Sequence, residues 1–320
     1  MQVHRDINNL PFFRNAVVTI GTFDGVHTGH LQIIQQLKEE AENINGEGVI
    51  VTFEPHPRMV ISSDKIEIEL LNTLNEKIEL LEKKDIDHLV VVPFTREFSE
   101  QLAEKYIKEF LVEKFHPHTI IIGHDHHFGN ERKGNYKLLE AYAEEFNFYV
   151  KEIPEHVLNQ VTISSTKIRK ALLNCDIETA NKYLGYEYFF EGETIEGDKI
   201  GRTIGYPTAN LQLIDKNKLV PGDGIYAVEL TISNKQIVHR TSDMVHLKGM
   251  MSIGIRPTIG SSNRTIEVNI FDFDKEIYGQ IVRVYVKKYL REEQKFSGLE
   301  ELKNAIAKDK IDAIKYLSER

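Results

Sequence analysis

The sequence predicts an α/β domain built on a parallel sheet over residues 1 to 185, followed over residues 186 to 320 by an antiparallel β-barrel that ends in helix. Three observations predict it. At 320 residues the chain is long for one core, so two domains are expected. Up to about residue 185, short apolar, β-branched runs alternate with amphipathic stretches, the pattern of a parallel sheet covered on both faces. Beyond it, period-two segments such as GIYAVELTI, RTIEVNIFDF and QIVRVYVKKY are divided by glycine, proline and asparagine turns, as in a barrel. There is no internal repeat or low-complexity linker, so the boundary rests on this change of period.

The expected strands of the first half are AVVTI (16 to 20), GVIVTF (48 to 53), HLVVV (88 to 92), HTIII (118 to 122) and NFYVKEI (147 to 153). Between them, residues 31 to 44 place Leu31, Ile34, Leu37, Ala41 and Ile44 on one helical face. Another helix opens on a capping box from Thr73 to Glu76, a third is capped by Ser99 with Leu102, Tyr106 and Phe110 on one face, and a fourth follows Asn135. DIETANKYLG (176 to 185) reads as a closing helix with Asp176 as N-cap and Gly185 as stop. After the barrel, SGLEELKNAIAKDKIDAIKYL returns to helix on a Ser297 to Glu300 capping box, and Met250 and Met251 read as core.

A hydrophobic fraction of 41% with 28% charged residues fits a soluble globular protein, and no run is long enough to span a bilayer, so no membrane partner is expected. The start, MQVHRDINNLPFF, lacks an apolar signal core, and one cysteine, Cys175, excludes an internal disulfide; a reducing cytoplasm fits best. A net charge of −9 argues against a nucleic-acid surface but not against a nucleotide site, which needs a few placed donors and a divalent cation. A homo-oligomer is neither required nor excluded.

GTFDGVHTGH, residues 21 to 30, joins the first strand to the first helix and puts three glycines at four-residue intervals beside His27 and His30. Backbone N–H groups at a helix N-terminus, approached closely through glycines, make a phosphate site. From the glycines alone a plain tight turn is an equal reading, since the pattern is neither GxGxxG nor GxxxxGK[ST]. The histidines shift the balance. TFEPHP (52 to 57) ends the second strand at the same sheet edge, though alone it reads as a rigid loop. GHDHHFGNERKGN (123 to 135) clusters His124, Asp125, His126 and His127, but neighbours on an extended chain point to opposite sides and the spaced ligand pairs of zinc are absent. ISSTKIR (163 to 169) reads first as a Ser/Thr N-cap, with Lys167 and Arg169 just inside. In the second half, GRTIGYPTANL (201 to 211) reads as a glycine turn feeding an edge strand, yet places Thr208 and Asn210 on one strand face, two oxygen donors of the kind Mg²⁺ accepts beside phosphate and water.

GTFDGVHTGH resembles the histidine signature of the nucleotidyltransferase superfamily. With TFEPHP, GHDHHFG and ISSTKIR in this order and spacing, the first half resembles the FAD synthetase half of the bacterial bifunctional riboflavin kinase/FMN adenylyltransferases. PTAN, GIYAVEL, GIRPTIG and YGQIVRVYVKKYLREEQKF are similar to the riboflavin kinase half, so the resemblance runs over nearly the whole chain. It implies a Rossmann-like nucleotidyltransferase domain followed by a riboflavin kinase barrel. It implies that ATP phosphates meet Gly21, Phe23, Asp24, Gly25, His27, Gly29, His30, Ser164, Ser165, Thr166 and Arg169 in the first domain and Gly201, Thr208 and Asn210 in the second, with Thr208 and Asn210 attending Mg²⁺. Flavin would meet His56, Pro57, Asp125, Phe128 and Gly129, and Glu267 in RTIEVNIFDF would be the kinase general base, although by its pattern alone it is one polar residue of an alternating strand. The family commonly has an aromatic at His126 and often Asn at Ser252. The implied chemistry is phosphorylation of riboflavin by ATP to FMN, then adenylyl transfer from ATP to FMN giving FAD, with His27 and His30 assisting departure of pyrophosphate and no covalent intermediate. Two alternatives stand beside it: one domain kept as a non-catalytic flavin-binding or regulatory module, or adenylyl transfer to another phosphate acceptor, which would leave the kinase-like half without a purpose.

Overall fold

The computed structural model describes residues 1–61, 68–123, 126–153, 163–197, 201, 204–233, 246–255 and 264–319. The chain divides into two compact units, Met1–Ser165 and Thr166–Arg320.

The strands of the first unit are β1 (Gln2–His4), β2 (Val17–Ile20), β3 (Gly48–Glu54), β4 (His88–Pro93), β5 (Thr119–Gly123) and β6 (Tyr149–Ile153). They form one sheet in the order β1-β4-β3-β2-β5-β6, with every pair parallel. β2 is buried along its whole length, as a strand covered on both faces must be. The chain proceeds to one side of β2 through β3 and β4 and to the other through β5 and β6, so the order of strand addition reverses at β2. Ligands of such sheets sit at that switch point, beyond the carboxyl ends of the strands, where Gly21 begins. β1 is not anticipated by the sequence, because three residues are too few to show a period; its pairing with β4 creates it.

Helix α1 (Thr28–Asn43) buries Ile34, Leu37 and Ala41, and starts three residues before the apolar period does. The cause is a cap: the His27 ring accepts a hydrogen bond from the His30 N–H, so His30 lies inside the first turn. A short helix, α2 (Pro57–Ile61), follows β3. Helix α3 (Leu74–Glu82) opens on the expected box, Glu76 N–H donating to Thr73 Oγ1 and Thr73 N–H to Glu76 Oε2. The expected cap at Ser99 is corrected: Thr95 caps the short helix α4 (Arg96–Ser99), whose last residue is Ser99, and the following helical segment starts at Ala103 without a side-chain cap. That segment runs through a π-helical stretch, Tyr106–Val112, which buries Tyr106 and Phe110 and leaves Leu102 exposed at its start. Helix α5 (Tyr136–Phe146) is capped by Asn135 as expected.

The second unit opens on α6 (Ser165–Leu173), which begins at the last residue of the first unit, and α7 (Ile177–Leu184), with Asp176 accepting from Thr179 N–H and Gly185 at φ 78°. Asn181 ties α7 to the barrel, donating to the Val286 carbonyl and accepting from Tyr188 N–H. Strands β7 (Phe189–Ile195), β8 (Ala209–Leu213), β9 (Gly224–Ser233), β10 (Leu247–Ile255), β11 (Arg264–Ile270) and β12 (Ile281–Arg291) close into an antiparallel barrel in the order β10-β11-β8-β7-β12-β9. Helix α8 (Leu299–Ser318) packs Ala313 and Leu317 against Ala227, Met250 and Phe271. Its expected capping box is corrected: Ser297 bonds Glu301, not Glu300, and the N-cap position is Gly298.

Candidate functional site

The turn after β2 reverses the chain within seven residues, and φ is positive at Phe23, Gly25 and Val26. Phe23 and Val26, unfavoured there, are held by burial. Gly21 and Gly29 serve packing: a Cβ on Gly21 would press on the Phe23 ring, and one on Gly29 would press on His27. The His27 and His30 rings stack in parallel with centroids 3.7 Å apart, and Phe23 flanks His30 at 5.0 Å. Because His27 Nδ1 accepts from the His30 N–H, its imidazole proton sits on Nε2. His30 Nδ1 is buried without a hydrogen-bond partner among the described residues. Burial holds the His30 pKa well below 6.5, and the neighbouring His27 and Lys77 push it the same way.

Beneath the turn lies a residue that sequence reasoning missed. Lys77 is 5% exposed on the inner face of α3, and its ammonium donates to Thr52 Oγ1 at 3.2 Å. Burial lowers its pKa, while the carboxylates of Asp24 and Glu54 raise it in opposition. Thr52 Oγ1 in turn donates to the Thr22 carbonyl at 3.1 Å. Asp24, expected at the nucleotide, is 2% exposed and accepts from the Leu71 and Asn72 N–H groups at 3.0 and 3.2 Å, clamping the entry to α3. The signal in the sequence was a lysine falling within the apolar positions of NEKIELL, a pattern that also describes a solvated lysine.

Ser165 Oγ donates to the Asp24 carbonyl at 2.8 Å, so the structure brings the start of ISSTKIR to the histidine turn through Ser165. Thr166 and Arg169 continue α6 into the second unit. His56 and Pro57 stand where β3 passes into α2, with the His56 ring accepting from Arg58 N–H. Phe128 is buried and stacks on Tyr106 at 4.9 Å, while Gly129, at φ 71°, lies where any Cβ would strike Ala103. Tyr106 continues the aromatic contacts to Phe98 and so to Phe53 on β3, linking the Phe128 loop with the TFEPHP strand end. Asp125 and His124 lie outside the described residues; His126 is described, its ring 6.0 Å from Phe128.

In the barrel, Glu267 on β11 stands directly opposite Asn210 on β8. Asn269 shares that face of β11 with Glu267, and Thr208 lies just before β8. Thr208 Oγ1 donates to Glu267 Oε2 at 3.1 Å, and Asn269 Nδ2 donates to the Pro207 carbonyl at 2.7 Å. Glu267 and Asn269 are buried, Thr208 is exposed and Asn210 half-buried. Gly201 closes the loop before them, accepting from Tyr206 N–H at 2.8 Å, and Gly197 lets the Asn210 amide pack where a Cβ would collide with it. Two clefts share Thr208: one runs to Thr194, Lys275 and Tyr278, the other to Glu267, Met250 and Phe296. Thr208 and Asn210 offer neutral, hard oxygen donors beside a carboxylate, a set that fits a Mg²⁺ ion keeping the rest of its shell on phosphate and water.

Comparison with known proteins matches each half of the chain to a separate family. Residues 10–167 match the FAD synthetase family and residues 184–317 the riboflavin kinase family. A bifunctional riboflavin kinase/FMN adenylyltransferase of Haemophilus influenzae is 37% identical over 97% of both chains, and that of Escherichia coli K12 is 34% identical over 98% of this chain and 97% of its own. A solved structure from Streptococcus pneumoniae, described as a macrolide-efflux protein, superposes with a TM-score of 0.83 at 28% identity over 97% of each chain. Among the described residues here, no helix is long and apolar enough to cross a membrane.

Proposed function

The chain belongs to the bifunctional riboflavin kinase/FMN adenylyltransferase family, and from that premise we propose how its own residues divide the two reactions. The enzyme phosphorylates riboflavin with ATP to FMN and transfers the adenylyl group of a second ATP to FMN, giving FAD and pyrophosphate.

In the barrel, Glu267 takes the proton of the riboflavin 5′-hydroxyl as that oxygen attacks the γ-phosphorus and ADP leaves. The Thr208 hydroxyl aims the carboxylate, and the Asn269 hold on Pro207 fixes Thr208 in turn. Two clefts meeting at Thr208 suit two substrates meeting at one reacting bond. Thr208 and Asn210 would hold Mg²⁺, which when bound would neutralise charge on the ATP phosphates.

In the α/β unit, a phosphate oxygen of FMN attacks the α-phosphorus of ATP and the bond to pyrophosphate breaks. His27, through Nε2–H, and the first N–H groups of α1 stabilise the charge that develops on the bridging oxygen, with His30 stacked beside it. Ser164 and Ser165 serve the same nucleotide, and the Phe128 and His56 segments border the flavin. Each nucleophile is a substrate oxygen, so no covalent enzyme intermediate forms. Cys175 without a second cysteine suits a reducing cytoplasm.

The observation that carries the residue assignment is that Glu267 stands opposite Asn210 across β8 and β11 and accepts a hydrogen bond from the Thr208 hydroxyl. The test is chromatography of riboflavin, FMN and FAD after incubation of the purified protein with riboflavin, ATP and Mg²⁺. FMN should appear first and FAD after it. FMN accumulating without FAD would instead make the first unit a non-catalytic module.

A further inference from the structure

We propose that Lys77 is a positioning residue for adenylyl transfer: its buried ammonium, bound to Thr52 beside Asp24 and Glu54, fixes the histidine turn and offsets the carboxylates that lie under the phosphate site. The inference rests on the reading of GTFDGVHTGH as the ATP phosphate cradle.

The geometry is a double anchor between α3 and the turn. At the entry to α3, Asp24 accepts two backbone N–H groups, from Leu71 and Asn72. One turn further in, Lys77 reaches back to Thr52, whose hydroxyl grips the Thr22 carbonyl. The turn is therefore held at Thr22 and at Asp24, on either side of Phe23. The capping box of Thr73 and Glu76 fixes the start of α3 and so the direction of the lysine stem.

Charge explains why this position takes a lysine and not an apolar side chain. An ammonium this deeply buried is costly, and burial does lower its pKa. The groups facing it are Asp24, Glu54, Thr52 and His30. Without the cation, two carboxylates would stand beneath a site that must accept a polyphosphate. With it, one of those two negative charges is offset, and the same cation disfavours a proton on His30, which already faces His27. Lys77 thus acts on substrate through the turn and through His30, without needing to touch ATP.

The experiment compares Lys77→Met and Lys77→Arg with the wild-type full chain in FMN adenylylation across pH, with riboflavin phosphorylation in the same preparation as reference. For Lys77→Met we expect kcat/KM for ATP in adenylyl transfer to fall by about 10- to 100-fold. Riboflavin phosphorylation should stay within about twofold of wild type, since Lys77 lies in the other unit. The inflection that His30 contributes to the pH profile should move upward, because a charge that opposes its protonation is gone; a merely structural lysine would leave that inflection in place. Lys77→Arg should keep the wild-type inflection and recover part of the rate, which keeps the test decisive if the Met variant folds poorly. Adenylylation by Lys77→Met within twofold of wild type, or a lowered rate with an unmoved inflection in both variants, overturns the proposal. If His30→Ala adenylylates FMN as wild type does, the cradle reading fails first and the Lys77 proposal falls with it.

Discussion

In the first unit the candidate groups at the nucleotide come chiefly from ten consecutive residues between β2 and the first turn of α1. In the barrel they come from β8 and β11, and the hydrogen bond that joins them, Thr208 to Glu267, spans 59 residues of sequence. The two arrangements differ in what preorganises them. A contiguous turn can be bent into shape by glycines and a cap, but much of its charge environment must come from elsewhere, here from Lys77 and Glu54. A strand pair brings the carboxylate and the oxygen donors to one face by register alone, because antiparallel partners two residues apart share that face. The first is therefore vulnerable to changes that leave its motif intact, and the second to anything that shifts the pairing of β8 with β11.

The sharpest break between the two sites is Glu267→Gln. It should lower riboflavin phosphorylation by about 10²- to 10⁴-fold while supplied FMN is still converted to FAD; loss of both activities would show that the units do not work independently. Next comes His30→Ala, for which adenylylation should fall by about 10²- to 10³-fold with the kinase step unchanged. Thr208→Val keeps the shape but removes the donor to Glu267, and should slow the kinase step by roughly 10- to 100-fold, visible as a drop in kcat.

The smallest effect is on stability. The folded His30 resists a proton that the unfolded chain accepts below about pH 6.5, so stability should fall as pH drops through that window, by at most about 1.4 kcal/mol per pH unit. Thermal melts at about pH 7 and about pH 5.5 should differ less for His30→Gln than for wild type. An equal difference in the two proteins would remove His30 from the account of acid sensitivity.

Much of this architecture is legible in residue order. The five longer strands of the sheet, the boxes and caps at Thr73, Asn135 and Asp176, and the change to a barrel all follow from local period and capping chemistry. Where local chemistry offered two partners, the sequence chose wrongly: Thr95 competes with Ser99 for a cap, and Glu301 with Glu300 for Ser297. Phe128 was singled out only by the family resemblance, and its burial against Tyr106 depends on a π-helical stretch that no period announces.

What the sequence determined by itself was the set of motifs and their order, since turn, cap and strand-end residues act on neighbours only a few positions away. What the tertiary structure decided was which distant groups those motifs meet. A lysine among apolar residues of α3 has no stated partner until β3 and the histidine turn are folded around it, and a glutamate in an alternating strand is one polar residue among several until register sets it opposite Asn210 and within reach of Thr208. Long-range pairing is fixed by packing and sheet register, and neither is written in any short stretch of chain.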